Sequence, residues 1–350
     1  MSQSSQSSFR PAWWARGGHL QTLWPAICRR RVAVTTWCEV VELDDGDCLE
    51  LEWVEPDGKQ ADRPILIVLH GLAGSARSRY ARGMLAATVR HGWRGVVMQF
   101  RGCGTNPNRL PRSYHSGVSD DSEQVVRLLR TREPDTKLAA VGYSLGGNVL
   151  LKWLGERGVA APLAAAVAVS VPYDLAATAA CVERGLSQLY QWHLMRSLKQ
   201  TVQAKLRQDP TLLPMDERQV MRLRTFRQFD DQVTAPLHEF KGADDYYQQC
   251  SSGQFLDRIT VPTLLVHARN DPMTGDVLPD PSQLPTAVRL ELLDDGGHVG
   301  FVTGRWPWRA TYWLEQRVPA FLQPYLESED VTMNPSHPLH RQPHRTSKSV

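Results

Sequence analysis

The run Gly142-Tyr143-Ser144-Leu145-Gly146-Gly147 sets a serine between glycines two residues away on either side. It follows the apolar run Leu138–Val141 and precedes a helical pattern at Asn148–Leu154, so the serine falls at a strand-to-helix turn. So sharp a turn strains the serine backbone, and its flanking residues must lack bulk for strand and helix to approach. The helix that follows adds backbone N–H groups and the positive end of its dipole near the reacting oxygen. These features suit Ser144 as a nucleophile for acyl carbonyls. The bland alternative is a tight turn whose serine merely caps the helix.

A serine hydroxyl is a weak nucleophile until a base takes its proton, and the base needs an orienting acid. Asp271 lies just past Pro262–His267, and His298 just past Arg289–Leu293 within Gly296-Gly297-His298-Val299-Gly300. The order Ser, Asp, His is that of α/β-hydrolases, with 127 residues from Ser144 to Asp271 and 27 from Asp271 to His298. The three glycines let the backbone turn His298 toward Ser144. Of the other histidines, His267 falls in a predicted strand, His70 precedes a glycine turn, His115 lies in a loop and His193 in a helical stretch. Asp174 is the main rival acid, while Asp276, Asp280, Asp294 and Asp295 are expected on solvated loops.

The charge of a tetrahedral intermediate needs two donors. The amide of Leu145, next after the nucleophile, is one. His70-Gly71-Leu72-Ala73-Gly74-Ser75 follows Ile65–Leu69 and offers the Leu72 amide as the second, unless it is a Gly-rich connection only. Arg101-Gly102-Cys103-Gly104 is expected to line the site's floor, with Cys103 in a structural turn because no base accompanies it. His115 and Asp120 fit an H-x-x-x-x-D spacing associated with glycerolipid acyltransferases, a pattern that arises easily by chance.

The elements that must position these residues alternate. Cys38–Leu43 and Cys48–Val54 flank the hairpin signal Asp44-Asp45-Gly46-Asp47, with a further strand signal at Val32–Val34. Ile65–Leu69, Gly95–Gln99, Leu138–Val141, Ala165–Ser170, Thr263–Val266 and Val288–Leu293 read as strands covered on both faces. Helical patterns intervene at Tyr80–Arg90, at Ser122–Thr131 with Ser119 and Asp120 as possible caps, and at Asn148–Leu154. This predicts an α/β protein with a mostly parallel central sheet and helices on both faces.

From Leu175 to Ile259 no strand signal occurs, and Leu186, Tyr190, His193, Leu194, Leu198, Val202 and Leu206 recur at helical spacing. A helical cap at 175–259, inserted before the late strands, is expected, its stripe packing on the sheet's top edge and holding no cofactor. The remainder divides into a core of 9–174 and 260–326 and flexible tails at 1–8 and 327–350. His337, His340 and His344 in the second tail are expected to be solvated.

Composition narrows the class. The chain has 350 residues and is 42% hydrophobic, ample for a large core. Lys plus Arg number 40 against 37 Asp plus Glu, a +3 excess that makes no case for nucleic acid. No apolar run is long enough for a membrane span, and the polar amino terminus does not read as a secretory signal. Six cysteines without a C-x-x-C pair suit a reducing, cytoplasmic setting. Neither metal nor organic cofactor is expected; the partner is a small-molecule ester, and the oligomeric state stays open.

Together these residues resemble the YheT-like branch of the α/β-hydrolases (AB hydrolase family 4), across nearly all of 17–325. The carriers are Gly18 to Pro25, His70 to Ser75, Phe100 to Gly104, Tyr114 to Gly117, Gly142 to Asn148, Phe240 with Asp245 to Tyr247, and Gly296 to Phe301. The resemblance implies an α/β-hydrolase fold and a lidded esterase-type hydrolase with Ser144, Asp271 and His298 as its triad. Short- to medium-chain acyl esters are the expected substrates. Asn270-Asp271-Pro272 departs from the family's frequent Asp-Asp-Pro and leaves one acid. Some animal relatives act on glycerolipids or phospholipids and carry a membrane anchor ahead of the domain; none is expected here, so neither trait is carried over. Two other readings remain: an acyltransferase using the same triad, and a non-catalytic ligand-binding protein on this fold.

Overall fold

The computed structural model describes residues 9–56, 62–275 and 277–328. The expected tails, apart from residues 327 and 328, lie outside the described residues, as do the three histidines of the second tail and Asp276. In chain order the strands of the main sheet are β1 (Trp37–Glu42), β2 (Cys48–Val54), β3 (Ile65–Leu69), β4 (Arg94–Gln99), β5 (Leu138–Tyr143), β6 (Ala165–Val169), β7 (Thr263–Ala268) and β8 (Val288–Leu293). A small ribbon pairs β9 (Val302–Thr303) with β10 (Thr311–Tyr312). The helices are α1 (Gly18–Ile27), α2 (Arg79–Arg90), α3 (Ser119–Arg132), α4 (Leu145–Arg157), α5 (Leu175–Val182), α6 (Ser187–Gln208), α7 (Glu217–Arg222), α8 (Phe226–Phe229), α9 (Ala235–Leu237), α10 (Ala243–Cys250) and α11 (Leu314–Leu326).

The sheet order is β1-β2-β4-β3-β5-β6-β7-β8. β2 pairs antiparallel with β1 and β4, and every pairing from β4 to β8 is parallel. Gly46, at φ 81°, closes the β1–β2 hairpin. Side chains alternate across β3. Ile65, Ile67 and Leu69 share a core with Val125 of α3 and Val149 and Trp153 of α4. Leu66 and Val68 share the opposite core with Leu85 of α2 and Val318 and Leu322 of α11. Each such side chain taken from water contributes about 1.5–3 kcal/mol. With both faces covered, β3, β5 and β6 are buried at every position and carry no charged side chain, so they stand out in the sequence as continuous apolar runs.

Three local expectations need correction. Val32–Val34 forms no strand; the chain there runs unpaired from α1 to β1. Ser119 and Asp120 do not cap α3 from outside but form its first turn, after Val118, where the charges of Asp120 and Asp121 complement the positive end of the helix dipole. The stripe along α6 does not pack on the sheet. Val202 and Leu206 join Met195, Leu213, Val220 and Phe229 in a separate core, because α7 and α8 fold back on that end. Tyr190, His193, Leu194 and Leu198 instead line a cavity, and Leu186 is exposed.

Candidate active site

Ser144 stands between β5 and α4 at φ 52° and ψ −120°, a costly conformation for a residue with a side chain. Its amide donates to Val169 O at 2.8 Å, and its carbonyl accepts from Asn148 N at 3.0 Å. A Cβ at Gly146 would fall 2.5 Å from the Leu69 and His70 carbonyl oxygens, so only glycine lets α4 approach β3 there.

Asp271 follows β7 and its side chain is fully buried. One carboxylate oxygen accepts from the Met273 amide at 2.8 Å and the Thr274 amide at 3.3 Å. The other lies 2.8 Å from His298 Nδ1. Burial alone would raise this carboxyl, but the His298 ring and these hydrogen bonds outweigh it and hold it below its ordinary range. A carboxylate only accepts, so His298 Nδ1 carries the proton and donates. That leaves the Nε2 lone pair facing Ser144 Oγ at 2.9 Å.

The His298 loop is held from two sides. The His298 amide donates to Thr22 Oγ1 at 2.8 Å, and the Val299 amide to Ser170 Oγ at 3.0 Å. A Cβ at Gly300 would overlap the Gln21 carbonyl, which explains a glycine beside α1. In the sequence Thr22, like Gln21, stands only within the Gly18 to Pro25 signature, and nothing in its own spacing points to its contact with the His298 loop.

The loop holding Leu72 is pinned on both sides: the Gly71 amide donates to Tyr80 Oη and the Ala73 amide to Tyr114 Oη, each at 2.8 Å. Leu145 is the first residue of α4, where an amide has no intrahelical acceptor. Leu72 and Leu145 both line the cavity with Ser144 and His298. Asn148, one turn into α4, ties this corner to the helical insertion: its Nδ2 donates to Ser116 O and Cys250 O, and its Oδ1 accepts from Ser252 N. Tyr80, Tyr114 and Asn148 lack a chemistry-bearing spacing, so nothing in the sequence points to their supporting roles.

The rivals have other work. Asp174 caps α5, accepting from the Ala177 amide at 2.9 Å. His70 and His267 are buried, and burial pushes each down to about 4. His70 accepts from the Phe100 amide, and His267 meets Thr274 Oγ1. Asp280 turns back on Ser282, and Asp294 is exposed beside Arg269. Asp295 departs from expectation: it is partly buried and accepts from Asn270 Nδ2 at 2.6 Å and from the Gly17 and Gly296 amides. Asn270, standing where a second acid is frequent, makes this possible, since its amide nitrogen donates where another carboxylate would repel.

Arg101 does not line the site. It is buried among Asp45, Asp47 and Asp121, linking the β1–β2 turn to α3. Cys103 is partly buried, and desolvation pushes its thiol up to about 12, against nucleophilic use. His115 and Asp120 are not paired: Asp120 meets Arg112, and the His115 ring lies 4.4 Å from that of His238.

A cavity of about 580 Å³ rises over Ser144 between the sheet edge and the helices between β6 and β7. Leu175, Leu194, Leu198, Phe226 and Phe229 make much of its wall apolar. Asp230, in a π-helical turn at Asp230–Thr234, also lines it; burial pushes its carboxyl up to about 6 despite donors from Thr234 and Tyr247. Among the described residues no group of His, Cys, Asp and Glu side chains could hold a metal, and no helix is long and apolar enough to cross a membrane.

Residues 64–305 match the family model of the α/β-hydrolase fold. The chain is 43% identical over 327 residues to YheT of Escherichia coli (strain K12), to which an esterase activity is provisionally ascribed; the match covers 93% of this chain and 96% of that protein. It is 29% identical to the Mus musculus phospholipase ABHD3, covering 91% of this chain and 79% of the relative. Among solved structures, the Pyrococcus furiosus esterase Pf2001 superposes with a TM-score of 0.54 at 15% identity, over 85% of this chain and 99% of that one. That likeness speaks to fold alone.

Proposed function

The chain belongs to the α/β-hydrolase family, in its YheT-like branch, and from that premise we propose that it hydrolyses carboxylic esters through an acyl-serine. Ser144 Oγ attacks the acyl carbonyl while His298 Nε2 takes its proton. The oxyanion is held by the amides of Leu145 and Leu72. Collapse of the intermediate breaks the bond to the alkoxy oxygen, and the imidazolium returns the proton to the departing alcohol. Water, deprotonated by His298, then attacks the acyl-serine; a second collapse releases the acid and restores Ser144. Asp271 keeps the imidazole in the Nδ1–H tautomer and faces the imidazolium when it forms.

The observation that carries this reading is the unbroken chain Asp271–His298–Ser144, at 2.8 and 2.9 Å, at the foot of a largely apolar cavity. The apolar wall of this cavity of about 580 Å³ suits the acyl half of an ester, and short- to medium-chain acyl groups are the substrates we propose. The test is hydrolysis of a series of p-nitrophenyl esters by the wild type and Ser144→Ala. The reading expects turnover that depends on chain length and a fall of about 10⁴-fold or more in the variant. Equal turnover by both proteins would refute it. Product analysis with added glycerol separates hydrolysis from acyl transfer: an acyltransferase makes new ester at the expense of free acid.

A further inference from the structure

Two helices that carry no acidic residue, α1 and α6, line the cavity side by side. Residues 9–38 contain five arginines and no Asp or Glu; residues 184–208 contain five Lys or Arg and no Asp or Glu. The rest of the chain carries 30 Lys or Arg against 37 Asp or Glu, so this segregation is a local feature. The first segment holds α1 and the second α6. They meet where His19 Nδ1 and Tyr190 Oη lie 3.0 Å apart with stacked rings. Thr22, Pro25 and Ala26 of α1 and Tyr190, His193 and Leu194 of α6 line the cavity.

The faces beside those lining residues are apolar and exposed. Leu20, Leu23 and Ile27 follow i, i+3, i+7 spacing along α1. Leu186, just ahead of α6, and Leu189 and Trp192 within it follow i, i+3, i+6 spacing. All six are between 39% and 67% exposed, and none of them lines the cavity. Arg16, Arg30, Arg31, Arg184 and Arg196 are exposed on the same two segments. Helices with Leu, Ile and Trp on one face, flanked by arginines and free of acids, have the composition of surfaces that lie at a lipid–water boundary.

We propose that α1 and the start of α6 form a docking face for the surface of an anionic lipid bilayer, setting this side of the cavity against the lipid. The arginines meet the negative headgroups, and the six apolar side chains enter the boundary layer, so a poorly soluble ester passes into the cavity without crossing water. Anionic lipid is favoured over a second copy of the chain because a two-fold interface would bring these arginine-rich segments against each other.

The test is co-sedimentation of the full chain with phosphatidylcholine vesicles, with or without about 30% phosphatidylglycerol. Binding about tenfold stronger to the anionic vesicles, and weakened by salt, is expected. The combined variant Ile27→Glu/Leu189→Glu/Trp192→Glu should lower that binding about tenfold and keep its circular dichroism and its turnover of a water-soluble ester. Arg30→Glu/Arg31→Glu/Arg196→Glu should do the same by charge alone. Equal binding to both vesicles, no binding, or variants that bind like the wild type would overturn the proposal. So would a dimer in light scattering that the apolar variant dissociates while vesicles leave it untouched. The binding readout is independent of ester turnover, so it stands or falls apart from the catalytic reading.

Discussion

Thr22 Oγ1 accepts the backbone N–H of His298 at 2.8 Å, across 276 positions of sequence. The same hydroxyl donates its proton to the Gly18 carbonyl at 2.7 Å, so α1 fixes the orientation of the group that holds the histidine loop. Gln21 adds a second tie: its Nε2 donates to Val302 O and Ala15 O, and its Oε1 accepts from Val302 N. A segment before the sheet thus supports the loop of the proposed base, which comes after its last strand.

Thr22→Val keeps the shape of the side chain and removes the acceptor, leaving the His298 amide unsatisfied. We expect kcat to fall about tenfold with KM little changed, because a misplaced base affects the chemical step more than binding. Thr22→Ser should restore most of the loss. Steady-state kinetics of the three proteins on one soluble ester decide it; an unchanged kcat in Thr22→Val would remove Thr22 from this role.

Asp271 and Asp174 can be separated by parallel substitutions. Asp271→Asn should lower kcat by about 10³–10⁴, since an amide no longer enforces the Nδ1–H tautomer of His298. Asp174→Asn should leave kcat unchanged and shift stability by only a few tenths of a kcal/mol, since Asn caps helices about as well as Asp. The folded Asp271 carboxyl titrates below its ordinary 3.8, so its stabilising contribution is present above that pH and lost as pH falls through the lower folded value. Denaturation of Asp271→Asn against pH should lack this component.

Much of this arrangement was legible because it rests on local rules. β3, β5 and β6 are buried at every position and carry no charged side chain, and the elbow's strand, turn and helix follow one another without interruption from β5 through Ser144 into α4. Other features were hidden because they depend on contacts between distant segments. No local pattern says that Thr22 meets His298, that Asn148 reaches Ser116 and Cys250, or that Arg101 turns away from the cavity toward three aspartates. The α6 stripe misled for the same reason: periodicity shows that a helix buries a face, not which neighbour covers it.

Arg101 is a stability element rather than a catalytic one. Its side chain and those of Asp47 and Asp121 are fully buried, with contacts of 2.6–2.9 Å. Arg101→Met would leave two buried carboxylates without their cation, at a cost of about 3–5 kcal/mol. Urea unfolding should show that loss, while the folded variant keeps its esterase kcat. A change below about 1 kcal/mol would contradict the assignment.

Stability should fall as pH drops from about 6.5 to 4. His70 and His267 are neutral and buried with folded values near 4, against 6.5 for the ordinary side chain, so the unfolded chain binds protons first in that window. Each contributes a slope approaching about 1.4 kcal/mol per pH unit. Asp230 acts with the opposite sign: its folded carboxyl, near 6, takes a proton before the unfolded one at 3.8 does, which favours the fold as pH falls through that range. Urea midpoints against pH should therefore be flatter for His267→Gln and steeper for Asp230→Asn. Identical profiles for all three proteins would contradict the account.

The central claim, that Ser144 is the nucleophile activated through His298, is tested most directly by the intact mass of the protein after a fluorophosphonate probe. The account predicts one adduct, mapped by peptide sequencing to Ser144, absent in Ser144→Ala and formed far more slowly in His298→Ala. An unlabelled wild type, or an adduct at another residue in a protein that still hydrolyses esters, would contradict it.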